Sequence, residues 1–225
     1  MADKERVLRV VQWLLIAAGV VLVGIWIGFR MHASAGRDAD LQRFAEAREA
    51  AHSTASSPAP TPEQRLPADL PVDTTLWAEG RIEEYQASLD ADVDPPLAIL
   101  RIPVLELEVA VLEGTSELAL NRGLGHISGT PLPGADGNVG IAGHRDGYFR
   151  GLKDIAIGDV IELETLDGLL RYVITETIIV DPSDVWVLAP TERPTLTLVT
   201  CYPFYFVGSA PERFIVHAEL VNRGP

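Results

Sequence analysis

Between Leu97 and Leu220 the chain breaks into seven short apolar runs separated by clusters of Gly, Pro, Asp and Asn, and this rhythm restricts the fold more than any other feature. The runs are LAILRI (97–102), LEVAVLE (107–113), NVGIAGH (138–144), VIELET (160–165), LLRYVITETIIV (169–180), TLTLVTC (195–201) and RFIVHAEL (213–220). Most are too short for a helix, are rich in Val, Ile, Leu and Thr, and stop at turn-forming residues, as strands do. Many short strands at this spacing predict an all-β barrel or sandwich of about 125 residues. Helix is expected there only in small pieces such as SELALN (116–121).

The amino-terminal part has a different texture. Residues 10–29 (VVQWLLIAAGVVLVGIWIGF) carry no charge, and Gln12 is their only strongly polar side chain. Their number matches the roughly 20 residues a helix needs to cross a bilayer, and the run is apolar all round, unlike a helix with one face on a core. Lys4, Arg6 and Arg9 precede it, which places the short segment 1–9 in the cytoplasm and everything after Arg30 outside. Ala33, Ser34 and Ala35 form an A-x-A pattern that a signal peptidase recognises. The apolar run is longer than the roughly 7 to 15 residues of a cleaved signal, so a retained transmembrane helix is expected.

Residues 30–71 read as a juxtamembrane stalk and spacer. DADLQRFAEAREAA (38–51) has helix-forming composition, with Leu41, Phe44 and Ala45 its only notable apolar spacing. STASSPAPTPEQRLPADLP (53–71) contains five prolines among small polar residues, a composition that tends to extended structure and holds a domain at a distance. Segment 72–96 leads into the strand-rich part. Within it Ile82, Tyr85 and Leu89 share one face of a short amphipathic helix, which Pro95 and Pro96 end. The strand-rich domain itself spans 97–221. A net charge of −14 excludes a nucleic-acid-binding surface, which needs a basic stripe.

Cys201 is the only cysteine, so no intramolecular disulfide is available to it on an exported chain. By composition it reads equally as a small buried apolar residue or as a nucleophile. A nucleophilic cysteine needs a neighbouring imidazole. His32 and His52 lie in the stalk and spacer, and His126 in a loop-like, structural stretch. Beside these and His217, His144 stands out: it ends a strand in GIAGHRDGYF, where Gly143 leaves room for close approach. Arg213 begins the last run, and a loop joining neighbouring strands would bring it beside Cys201 as a donor to an oxyanion.

These segments resemble sortases. TLTLVTC matches the family's TLxTC signature through Thr197, Leu198, Val199, Thr200 and Cys201. LAILRIPVLELEVAVLEGTSE, RGLGHISGTPLPGADGNVGIAGHRDGYFRGLKDIAIGDVIELET, DVWVLAPT and TLTLVTCYPFYFVGSAPERFIV follow in the family's order, and the wording is most similar to class D. The resemblance implies an eight-stranded β-barrel with short helices behind one membrane anchor. It also implies a catalytic trio of His144, Cys201 and Arg213, with Val199 and Thr200 in the substrate groove and Thr200 assisting the oxyanion. The implied activity is cleavage of an LPxTG-like sorting signal through a thioacyl enzyme, followed by transfer to an amine. Partners would be surface proteins bearing that signal and an amine acceptor in the envelope of a bacterium, met at the outer face of the cytoplasmic membrane. No cofactor is expected; some sortases respond to calcium, for which no ligands are legible. An L,D-transpeptidase would need a different glycine-rich motif, and papain-like proteases place their cysteine before their histidine. A silent peptide-binding β-domain is opposed by the intact trio. On this reading, removal of residues 1–70 leaves an active soluble domain.

Overall fold

In a computed structural model, residues 13, 39–49, 77, 79–89, 91, 93–205 and 209–224 are described. Eight strands form a closed barrel: β1 (Ala98–Ile102), β2 (Leu107–Glu113), β3 (Leu124–His126), β4 (Asn138–Ala142), β5 (Val160–Thr165), β6 (Gly168–Val180), β7 (Thr195–Tyr202) and β8 (Glu212–Arg223). Around the barrel their order is β1-β2-β3-β4-β7-β8-β6-β5. All seven expected runs are strands. The eighth, β3, is only three residues long and pairs in parallel with β2 through Val111, Leu112 and Glu113. It had read as loop because glycines flank and interrupt it.

Side-chain alternation fills the barrel. Along β5, Ile161, Leu163 and Thr165 point inward between partly exposed neighbours, and on β6 Leu170, Tyr172 and Ile174 do the same. Strand β7 departs from alternation: Thr195 to Leu198 are all buried. Thr197 faces the opposite side from its neighbours and is satisfied there, donating its hydroxyl to Asn138 Oδ1 at 2.5 Å and lying 2.9 Å from His217 Nδ1. The Asn138 amide in turn donates to the carbonyls of Val187 and Ala189, both at 3.0 Å, which fastens the turn of 185–188 over the strand.

Three helices pack outside. Helix α1 (39–49) covers the outer face of β1 and β2, where Phe44, 3% exposed, meets Ile99 and Ala110. Helix α2 (Glu79–Leu89) buries Tyr85 and Leu89, two of the three stripe residues expected, and Ile82 is half-buried. Helix α3 (Glu117–Arg122) is capped by Ser116, whose hydroxyl accepts from the Ala119 amide.

Arg122 joins all three. Its Nε and Nη2 donate to the two carboxylate oxygens of Asp40 at 2.7 and 2.9 Å. Its Nη1 donates to the carbonyls of Ser88, Leu89 and Ala91 at 2.9, 3.0 and 2.7 Å, at the end of α2. Those carbonyls lack partners inside the helix and carry the negative end of its dipole, so a guanidinium is the fitting group. Arg122 and Asp40 are 4% and 1% exposed.

The helix expected within 38–51 is present over 39–49, where it packs on the barrel and pairs with Arg122. Segment 50–76, with the expected proline-rich spacer, lies outside the described residues. The expected membrane span, 10–29, lies outside the described residues except for Trp13. Among the described residues no helix is long and apolar enough to cross a membrane.

Candidate active site

Strand register assembles the three residues that the sequence singles out. Antiparallel β7 and β8 set Cys201 directly opposite Arg213. Parallel β4 and β7 pair as far as Ala142 with Val199, and the Gly143 amide then donates to the Val199 carbonyl at 3.1 Å. Continuing that register two steps past the end of β4 would carry His144 to the level of Cys201.

Two side-chain bonds bracket the pair. Before it, the Thr200 hydroxyl donates to the Gly143 carbonyl at 2.8 Å; after it, Arg145 Nη1 donates to the Pro203 carbonyl at 3.0 Å. The residues preceding and following His144 are thus tied to those preceding and following Cys201. Thr200 is 2% exposed, and its hydroxyl holds the segment that leads into His144. Val199 and Cys201 are half-buried. Arg213 is held by its Nη1, which donates to the carbonyl of Glu212 at 3.0 Å and more weakly to that of Ala210 at 3.4 Å. Beyond the Cys201–Arg213 pair, Tyr202, Phe204 and Phe214 form an aromatic cluster with ring centroids 5.3 to 6.3 Å apart.

Gly143 is required by packing. A Cβ there would meet Phe149 Cδ2 at 2.6 Å and Leu124 Cδ2 at 2.7 Å, and both side chains belong to the closed core. Gly143→Ala is expected to cost about 1 to 3 kcal/mol through overpacking and to lower kcat/KM by displacing His144. Gly80, in α2, has nothing within 4 Å of its added Cβ. Gly80→Ala is therefore expected to raise stability by about 0.5 to 1 kcal/mol. Thermal unfolding and peptide-cleavage kinetics of the two variants check the contrast; equal effects would contradict the packing account.

The environment of His144 was only partly legible. Its Nε2 is buried and lies 3.4 Å from a Glu117 carboxylate oxygen, within ion-pair range, yet no hydrogen bond closes on it. Burial is the main force holding its pKa below the ordinary imidazole value, and the positive charge of Arg81 adds to it; Glu117 and Asp146 pull the other way. Arg81, Glu117 and Asp146 had not been singled out from sequence. The one available signal was the Trp77, Arg81, Tyr85 spacing, three planar groups at four-residue intervals, of which Arg81 and Tyr85 share a face of α2. His126, read as structural, is 2% exposed and lies 3.1 Å from the Pro131 carbonyl through its Nε2. His217 is engaged with Thr197.

A family model described as the sortase domain matches residues 100–221. The chain is 35% identical to Sortase D of Bacillus subtilis (strain 168) over 138 residues, which is 61% of this chain and 70% of that protein. It is 31% identical to a Sortase A of Listeria monocytogenes over 114 residues, 49% of this chain and about half (51%) of that protein. Among solved structures it is similar to the Clostridium perfringens Sortase D5 transpeptidase, with a TM-score of 0.53 at 30% identity, covering 63% of this chain and 89% of that one.

Proposed function

The chain belongs to the sortase family of cysteine transpeptidases, and we propose that it cuts an LPxTG-like sorting signal on exported proteins and passes the acyl part to an amine. Cys201 sulfur, its proton passed to His144, attacks the carbonyl of the scissile peptide bond, forming a tetrahedral oxyanion that Arg213 stabilises. The C–N bond breaks as His144 gives a proton to the leaving amine, and a thioester remains on Cys201. The incoming amine attacks that thioester, His144 takes its proton, and the thiol is released. The reading is supported chiefly by one observation: Cys201 sits in register with Arg213 while two bonds tie its neighbours to those of His144. A peptide library with an added amine, analysed by mass spectrometry, tests it. Cleavage within one motif together with a joined product is expected; hydrolysis without any joined product at saturating amine would count against it.

The depressed pKa of His144 gives the second step a pH signature. A neutral imidazole is the form that accepts a proton, and here it persists below the ordinary midpoint of about 6.5. Discharge of a preformed thioester by an amine that stays neutral across the range is expected to lose rate only below that pH. A lower limb centred above 6.5 would contradict the assignment.

Residues 10–29 serve as the anchor in this reading, with the barrel on the outer face of the cytoplasmic membrane. Nine residues, 30–38, separate the apolar run from docked helix α1. They span at most about 35 Å, so the active site works close to the bilayer, where an exported substrate held by its own apolar tail is met at raised effective concentration.

A further inference from the structure

Helix α2 brings to His144 a charged group that the bond-making steps do not use. Trp77, just before the helix, donates its indole Nε1 to the Asp146 carbonyl at 2.8 Å. Arg81 lays its guanidinium over the Trp77 ring, 4.4 Å from the centroid, and its Nη2 lies 3.9 Å from the Asp146 carboxylate. Trp77 is braced edge-on by Tyr85 at 5.4 Å, and Tyr85 is 3% exposed. The turn that carries His144 through Gly147 is therefore gripped from outside by one face of α2.

This grip leaves a polar deficit. Both Nη1 and Nη2 of Arg81 are shut off from solvent, and neither makes a hydrogen bond. A shielded guanidinium without acceptors costs free energy that Trp77 stacking and a distant Asp146 offset only in part. An uncharged glutamine or methionine would pack there more cheaply, which directs attention to what the charge does at the histidine.

We propose that Arg81, held on Trp77, is a positioning residue of the active site: a fixed positive charge that sets where His144 sits and which proton-transfer role its imidazole can take. The inference rests on the reading of His144 as the acid and base of the reaction. Arg81 faces the imidazole from α2, Glu117 from α3 and Asp146 from its own turn; Cys201 and Arg213 stand on the adjoining strands. Burial sets the main direction, and on top of it Arg81 opposes protonation while the two carboxylates favour it, so a helix outside the barrel contributes to the balance. The N-terminal helices thereby belong to the catalytic unit: Arg122 fixes the end of α2 and Arg81 acts near its start.

The test reads the imidazole directly. His144 is titrated by NMR in the full chain carrying Cys201→Ala, alone and with Arg81→Gln, Arg81→Lys or Glu117→Gln. With Arg81→Gln the midpoint is expected to rise by roughly half to one pH unit, with Arg81→Lys to stay near the parent, and with Glu117→Gln to fall. In the Cys201 enzyme, Arg81→Gln is expected to lower kcat about tenfold with KM little changed, and Arg81→Lys to recover most of it. No rise with Arg81→Gln, or an equal change with Gln and Lys, would overturn the proposal and leave Arg81 a packing residue. The titration needs no peptide, so a failure to cleave sorting signals would bear on the proposed function and not on this result.

Discussion

Replacing Cys201 by alanine is expected to reduce cleavage of a sorting-signal peptide by at least about 10⁴-fold while leaving the fold intact. The size follows from covalent catalysis: without the sulfur no acyl group is stored, and neither half-reaction has a low-energy route. The fold should survive because Cys201 is half-buried and its strand is held by backbone pairing to β8 and by the Thr200–Gly143 and Arg145–Pro203 bonds, none of which uses the thiol. His144→Ala is expected to lose about 10² to 10⁴ and Arg213→Ala about 10² to 10³, since a proton carrier and an oxyanion donor each assist a step that the sulfur still performs. Arg213→Lys should recover little, because a point charge does not reproduce the planar fork held at the Glu212 carbonyl. Single-turnover kinetics on variants with matched thermal unfolding check the ranking.

Asp40→Ala is expected to destabilise the protein by about 3 to 5 kcal/mol, although Asp40 lies 82 residues from its partner Arg122 in sequence. The substitution leaves a guanidinium buried with its charge uncompensated. Three carbonyls would still accept from Nη1, but Nε and Nη2 would lose their only recorded acceptors. In a domain of this size the loss corresponds to roughly 6 to 15 °C in Tm. The double variant Asp40→Ala/Arg122→Met should recover part of it, because the buried charge leaves with its partner. Truncation follows the same logic. A chain starting at residue 72 loses Asp40, the Phe44 contact on Ile99 and Ala110 and the Arg48 pair with Glu164, and should be much less stable than one starting at residue 37. The contacts of α1 thus lead to a different expectation from the sequence alone, on which removal of residues 1–70 leaves an active soluble domain. An unchanged Tm in Asp40→Ala would show that α1 is not docked in solution.

The barrel was legible because strands announce themselves locally: VIELET and LLRYVITETIIV alternate, and TLTLVTC is compact and closed by a turn. Strand β3 was not, because three residues among glycines carry no period, and their pairing with β2 is set by tertiary structure. His144, Cys201 and Arg213 stood out by chemistry and motif, and register sets Cys201 opposite Arg213. The bond from the Thr200 hydroxyl to the Gly143 carbonyl was not legible, because the direction of that side chain depends on strand alternation and on a carbonyl distant in sequence. The role of α1 was hidden for a different reason. Its apolar stripe is weak, and what docks it is a buried ion pair whose partner, in ELALNR, looks like an ordinary helix-ending arginine. Long-range polar pairs leave no periodic trace, and the same holds for Arg81 beside His144.

The central claim is that Cys201 carries the acyl group between two amines. Intact-mass spectrometry of the enzyme quenched in acid during turnover of a sorting-signal peptide measures this directly. The expected result is an enzyme heavier by the acyl fragment, with the added mass on the peptide that contains Cys201 and lost on addition of an amine. Turnover with no such adduct, or an adduct on any other residue, would contradict it.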